Sequence, residues 1–203
     1  PTPVDRSLPQ VFGAVVEQDP DAPAIAHDGD EVTYVDLEGR ASRLARLLID
    51  RGIGPKDRVV VTLDPSVEWA VAVLAVALAG AAVVVPDESA QSTKWADVAW
   101  IARAGTIVTN TGADAVDGIQ LIALDDPVTV EAVASASPRP ISYSARTRLL
   151  GSEDPAVVVI DRNDVVTEYP HGRLVAALTA SNARLSITFE SRLMAARESS
   201  RVW

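Results

Sequence analysis

Leu37, Ala41, Leu44 and Leu48 recur at spacings of four, three and four residues, which places them on one face of a helix over about Val35–Arg51. Thr33 stands where an N-cap belongs and Gly52 where the helix closes. Upstream, "LPQVFGAVVEQDPDAPA" predicts a short helix and a turn. "AIAHDGDEVTY" predicts a hairpin that pairs Ala24–His27 with Glu31–Tyr34 across Asp28-Gly29, a dipeptide suited to positive φ.

After that helix the periodicity changes. "DRVVVTL" (Asp57–Leu63) is apolar without alternation, the pattern of a strand covered on both faces. The uncharged run Trp69–Val85 approaches the length of a membrane span. Gly80 interrupts it and valines follow, so the run reads as a buried helix capped by Ser66, a tight turn and a buried strand. A helix around "KWADVAWIARAG" should turn Trp95, Val98 and Ala102 to one side and end at Gly105. "TIVTN" and "IQLIAL" are further strands. The Ser/Pro-rich stretch 126–155 is a long connection or a short helix plus loop. It leads into the strand "AVVVI", the turn Asp161–Asp164 and a helix from about His171 to Leu185 with Leu174, Val175 and Leu178 inward. Strands alternating with helices at these lengths predict an α/β domain with a largely parallel sheet flanked by helices.

Composition narrows the chemistry. The 203 residues include no cysteine, which excludes disulfides, thiolate metal sites and cysteine nucleophiles. The two histidines, His27 and His171, are too few for an all-histidine metal site. They read as a strand-end surface residue and a helix-start residue. Asp125-Asp126 reads as a solvated strand end and not as a metal site, and no Ser-His-Asp order supports a catalytic triad. No catalytic residue, metal or cofactor is assigned. The net charge of −10 argues against nucleic acid as a partner. Residues 171–203 reverse the balance with five basic and two acidic side chains, so Arg184, Arg192, Arg197 and Arg201 are candidates for an interaction surface. With no signal-peptide pattern at the N-terminus and no membrane span, a cytoplasmic location is expected. An unrelated small-molecule-binding α/β domain would also fit the element order, but no Gly-rich strand-to-helix fingerprint supports it.

Several stretches, in order, resemble the opening of adenylation domains of nonribosomal peptide synthetases, within the adenylate-forming superfamily. "VTYVDL" (Val32–Leu37) is similar to that family's L-T-Y-x-E-L, and "LAVALAGAAVVVPD" (Leu74–Asp87) to its L-K-A-G-A-A-Y-V-P-L-D. "IQLIALDD" fits the strand before its variable loop, and "HGRLVAAL" (His171–Leu178) its H-x-x-L-V-A-L helix. These matches concern packing: Ala79, Gly80 and Ala81 permit close helix–strand approach, and Tyr34 packs locally.

The resemblance also implies a phosphate-binding loop like Y-T-S-G-S-T-G-x-P-K-G after a strand like Ala156–Ile160, and here the chain departs. Ten residues, "DRNDVVTEYP", separate Ile160 from His171, too few for that loop and its strand. The glycines, the hydroxyl pair and the lysine are absent, and Asp161, Arg162, Asn163 and Asp164 stand in their place. A carboxylate about 4–5 Å from a phosphate would oppose it by roughly 3–4 kcal/mol per charge pair before solvent screening. The tail "SRLMAARESSRVW" resembles the family's F-D-x-S-V-W segment with Ser199 at the aspartate. The expectation is a single truncated adenylation-like domain over 1–203: an α/β core to residue 160, a shortened turn and strand over 161–170, then a terminal helix and tail over 171–203. It would be a noncatalytic structural or docking module. Its expected partners are neighbouring carrier or condensation domains, a tailoring enzyme, an MbtH-like protein or a second copy. The alternative is a fragment of an ATP-dependent amino-acid-activating enzyme completed by other segments.

Overall fold

A computed structural model describes residues 5–86 and 94–185. Helix α1 (Leu8–Gln18) precedes a two-stranded antiparallel hairpin, β1 (Pro23–His27) and β2 (Asp30–Thr33), in which Ile25 faces Val32 and His27 faces Asp30. Asp28 and Gly29 take φ of 51° and 92° at the reversal, which their residue types tolerate. Helix α2 (Tyr34–Asp50) starts where the sequence places it. Thr33 Oγ1 accepts the Asp36 N–H at 3.3 Å, and Leu37, Ala41, Leu44, Ala45 and Leu48 are buried along one stripe. The Tyr34 ring packs against Phe12 with centroids 6.0 Å apart, joining α1 to the start of α2.

The main sheet has the order β6-β5-β3-β4-β7-β8. Strands β3 (Arg58–Val61), β4 (Ala82–Pro86), β5 (Thr106–Thr109), β6 (Gln120–Ala123) and β7 (Pro155–Ile160) run parallel, and β8 (Val166–Pro170) closes one edge antiparallel to β7. Alternate strand residues feed two cores. Val59, Val61, Val83, Val108 and Ile122 pack beneath α2 and α3 (Val67–Ala79). Val60, Ala82, Val84, Ile107, Val158 and Ile160 pack beneath α4 (Trp95–Ala102). Both faces being covered is why β3 and β4 read as unbroken apolar runs. On the second face, α4 supplies the helical cover with eight residues.

The apolar run therefore folds as α3, a turn and β4. Ser66 Oγ accepts the Trp69 N–H at 3.1 Å, and Gly80 ends the helix at φ 94°. A Cβ at Gly80 would lie 2.9 Å from Pro55 Cγ, so both the backbone conformation and the close approach require glycine. No helix among the described residues is long and apolar enough to cross a membrane.

The 126–155 stretch forms helix α5 (Pro127–Ser135) and then a strap without long elements. Arginines fasten it to backbone carbonyls. Arg43 donates to Ala134 O at 2.6 Å, Arg46 to Arg139 O at 2.8 Å, and Arg146 of the strap to Leu78 O at 2.9 Å. Burial against α3 lowers the Arg146 pKa from its ordinary value, a shift the Tyr143 ring beneath it partly opposes.

Two helices depart from the sequence pattern. In α4, Val98, Ala99 and Ala102 are buried while Trp95, at the first helical position, is 39% exposed. That helix stops at Arg103, which takes φ 53°, and not at Gly105. In α6 (His171–Leu185) the inward residues are His171, Val175 and Ala176, spaced four and one, and Leu178 is 53% exposed.

Candidate functional site

The β7–β8 connection is the first place to look for chemistry. The Asp161 N–H donates to Val165 O and the Asp161 carbonyl accepts the Asp164 N–H, both at 3.1 Å, so the chain reverses within one turn. Asp161 Oδ1 accepts two more amides, those of Asn163 at 2.8 Å and Val165 at 2.9 Å. Asp164 adopts φ 59°, the left-handed position at which such hairpins favour glycine. Four of the five amides of 161–165 thus point to acceptors of the turn itself. A backbone anion nest needs consecutive N–H groups facing outward to a ligand. The anion held by this turn is its own Asp161 carboxylate. Arg162, Asn163 and Asp164 are exposed.

His171, ten residues further on, is fully buried. Its Nδ1 accepts the Leu8 N–H at 3.2 Å, which ties the start of α6 to the start of α1. An accepting Nδ1 places the neutral ring's proton on Nε2, and Nε2 is buried without a partner. Burial depresses the imidazole pKa to about 4; Asp154 pulls it upward and Arg146 downward again. At the helix start the N–H groups of His171 and Gly172 donate to Asp154 O and Ser152 O. His171 is a structural joint and not an acid–base group at neutral pH.

The remaining sequence candidates separate. His27 is exposed at the hairpin and lies 3.5 Å from Asp28. Asp125 accepts the N–H and the hydroxyl of Thr111, and these bonds hold its carboxyl below the usual range. Asp126 caps α5 through the Val128 N–H at 3.3 Å. No group of three metal-ligating side chains occurs among the described residues. The side chain of Arg184 and all of Arg192, Arg197 and Arg201 lie outside the described residues.

Sequence reasoning missed a feature at the opposite edge. A cleft of about 500 Å³ opens at the N-terminal ends of β3, β5 and β6, bordered by Arg58, Thr106 and Gln120 at those strand starts. Arg51, Lys56 and Arg103 complete a cationic rim with a single acid, Asp57. Asp57 accepts the Gly54 N–H at 2.8 Å and lies 3.8 Å from Arg148. At the other end of the strands, Asp64, Asp125 and Asp161 follow the C-terminal ends of β3, β6 and β7. Each residue is visible in the sequence, but their convergence depends on strand order.

Comparison with known proteins gives this fold a family context. Residues 12–167 match the family model described as "AMP-binding enzyme". The chain is 36% identical over 159 residues to the Salinispora arenicola protein "Probable non-canonical nonribosomal peptide synthetase (NRPS) CymA", covering 77% of this chain and 2% of that one. It is 46% identical over 87 residues to surfactin synthase subunit 2 of Bacillus subtilis, covering 43% of this chain and 2% of that protein. Among solved structures, the nonribosomal peptide synthetase FmoA3 superposes with a TM-score of 0.78 at 24% identity, over 93% of this chain and 20% of its own. An AMPPNP-bound form of FmoA3 gives 0.77. The chain therefore spans a small part of the relatives it matches.

Proposed function

Because this chain belongs to the AMP-binding enzyme family, we propose that it is a noncatalytic adenylation-like unit serving as a structural or docking module in nonribosomal peptide assembly. Its partners on this reading are neighbouring synthetase domains. The observation that supports it is the Asp161 turn: two amides that could have faced a phosphate are occupied by a carboxylate of the chain itself. Asp164 adds a second negative charge beside them, and Arg162 alone lacks the backbone donors that a nest supplies. The fold, by contrast, keeps its packing devices at Thr33, Ser66 and Gly80. Retained packing without an open phosphate cradle fits a role in which shape and surface matter.

A second reading is that the chain is part of an ATP-dependent amino-acid-activating enzyme whose phosphate contacts come from other segments. The AMPPNP-bound form of FmoA3, which shares the fold, favours it. Two measurements separate the readings: amino-acid-dependent ATP–pyrophosphate exchange, and calorimetric titration with ATP. Neither exchange nor binding is expected. Exchange above the no-enzyme background, or nucleotide binding lost on changing Arg162, would overturn the noncatalytic reading.

A further inference from the structure

We infer that the cationic cleft at the N-terminal edge of the sheet is a docking site for an acidic, carboxylate-bearing segment of a protein partner. The inference names a surface for the docking role proposed above and rests on that role, but not on whether the β7–β8 turn binds nucleotide.

Charge is the first argument. The chain carries −10 overall, yet Arg51, Lys56, Arg58 and Arg103 gather around one cleft whose single acid is already engaged by Gly54 and Arg148. Arg58 is partly committed, since it donates to Ala102 O and pairs with Glu168. Arg51, Lys56 and Arg103 are exposed, and no carboxylate is paired with them among the described ion pairs. Arg51 and Arg103 follow the C-terminal ends of α2 and α4, where the helix dipole favours a cation. That accounts for one charge at each helix. It does not account for Lys56 on the loop between α2 and β3, nor for the convergence of all of them on a single cleft.

The backbone decides which anion fits. Around the rim the amides of Arg51, Gly52, Ile53, Gly54, Asp57, Arg103 and Gln120 donate to Leu47, Ile49, Leu48, the Asp57 carboxylate, Gly54, Trp100 and Gly105 respectively. A phosphate site is usually built on a nest of consecutive free N–H groups, and here these seven amides are spent. Recognition falls to long side chains on separate elements, which can adapt to carboxylates spread along an extended segment. The cleft is within the size range of binding pockets, but it is open and polar, as suits a peptide side of mixed charge and water more than an enclosed cofactor.

The test uses the full chain and fluorescence anisotropy with a labelled glutamate-rich peptide, with inorganic tripolyphosphate as a competitor. Binding is expected at about 50 mM salt and should weaken strongly by about 200 mM. The combined variant Arg51→Glu, Lys56→Glu, Arg103→Glu should weaken it by at least about tenfold. Arg51→Glu alone, at an ordinary φ of −84°, provides a milder reversal should the triple variant lose its fold by circular dichroism. Arg173→Glu on α6, far from the cleft in sequence and exposed, should leave binding unchanged. No peptide binding, equal binding by the Arg51→Glu variant, or tighter binding of tripolyphosphate than of the peptide would each overturn the assignment. ATP titration of the same preparation reports on the turn independently.

Discussion

Arg58 and Glu168 form an ion pair although their strands, β3 and β8, are separated in the sheet by β4 and β7. Both side chains emerge on the α4 face, since Arg58 is in phase with Val60 and Glu168 is the register partner of Val158. On the intervening strands that face carries the buried alanines Ala82, the register partner of Arg58, and Ala156, with Val84 and Val158 beside them. Small residues thus clear a lane that lets a long cation cross the sheet, where it also caps the end of α4 through Ala102 O.

Widening either alanine should close the lane. Ala156→Leu is expected to destabilise the fold by about 1–3 kcal/mol through overpacking, whereas Glu168→Gln should cost no more than about 1 kcal/mol because the pair is half in solvent. Urea unfolding of both variants checks the order. An Ala156→Leu protein as stable as the parent would remove the argument from the lane.

The hairpin makes opposite predictions at its two aspartates. Asp161→Ala removes an acceptor of two amides and should cost about 1–2 kcal/mol, with Asp161→Asn recovering part of the loss. Asp164→Gly relieves a left-handed non-glycine residue and should be neutral or stabilising by up to about 1 kcal/mol. Thermal midpoints of the three variants read both effects.

The buried His171 gives stability a pH dependence. Its folded pKa, about 4, lies below the ordinary value of 6.5, so the unfolded chain binds the proton more readily. The contribution is complete above pH 6.5 and is lost as pH falls from there toward 4, amounting to about 3 kcal/mol. Protonation would also set an Nδ1–H against the Leu8 N–H, so α1 should part from α6. Replacing His171 with asparagine, which keeps an acceptor and does not titrate, should flatten the stability profile between these pH values. An unchanged slope in denaturant midpoints would assign the acid sensitivity elsewhere.

Gly80→Ala should cost about 2–4 kcal/mol, combining a left-handed alanine with a Cβ pressed to 2.9 Å from the Pro55 ring. Gly13→Ala is the contrasting control, since nothing lies within 4 Å of its added Cβ in α1, and it should stabilise slightly. Equal midpoints for the two would contradict the close approach at the α3–β4 turn.

The sequence made the local rules readable because they are written in adjacent residues. The Thr33 and Ser66 caps, the Asp28-Gly29 reversal and the Gly80 stop each depend on a few neighbours, and each appears where the pattern places it. Trp95 and Leu178 were misplaced for a different reason. Apolar periodicity marks a helix face, but which residues of that face are covered depends on what distant parts of the chain pack against it. The strap after α5 was unreadable as structure since it is held by Arg43, Arg46 and Arg146 from distant points of the chain. The basic cleft was invisible for the same reason: residues 51–58, 103–106 and 120 meet only after β5 is laid beside β3. At the β7–β8 turn, the shortness of the connection could be read in advance. That Asp161 turns its carboxylate inward onto its own backbone could not.

The gathering of Arg51, Lys56 and Arg103 around one cleft of a chain with net charge −10 has a kinetic meaning. A local cluster of cations on a body of negative net charge makes its field uneven, and a charged partner feels that unevenness as a torque from several ångströms away. An acidic partner would be repelled by the molecule as a whole and admitted along one approach only. Collisions would therefore be filtered by orientation before any contact forms, and salt would blunt that filter together with the attraction.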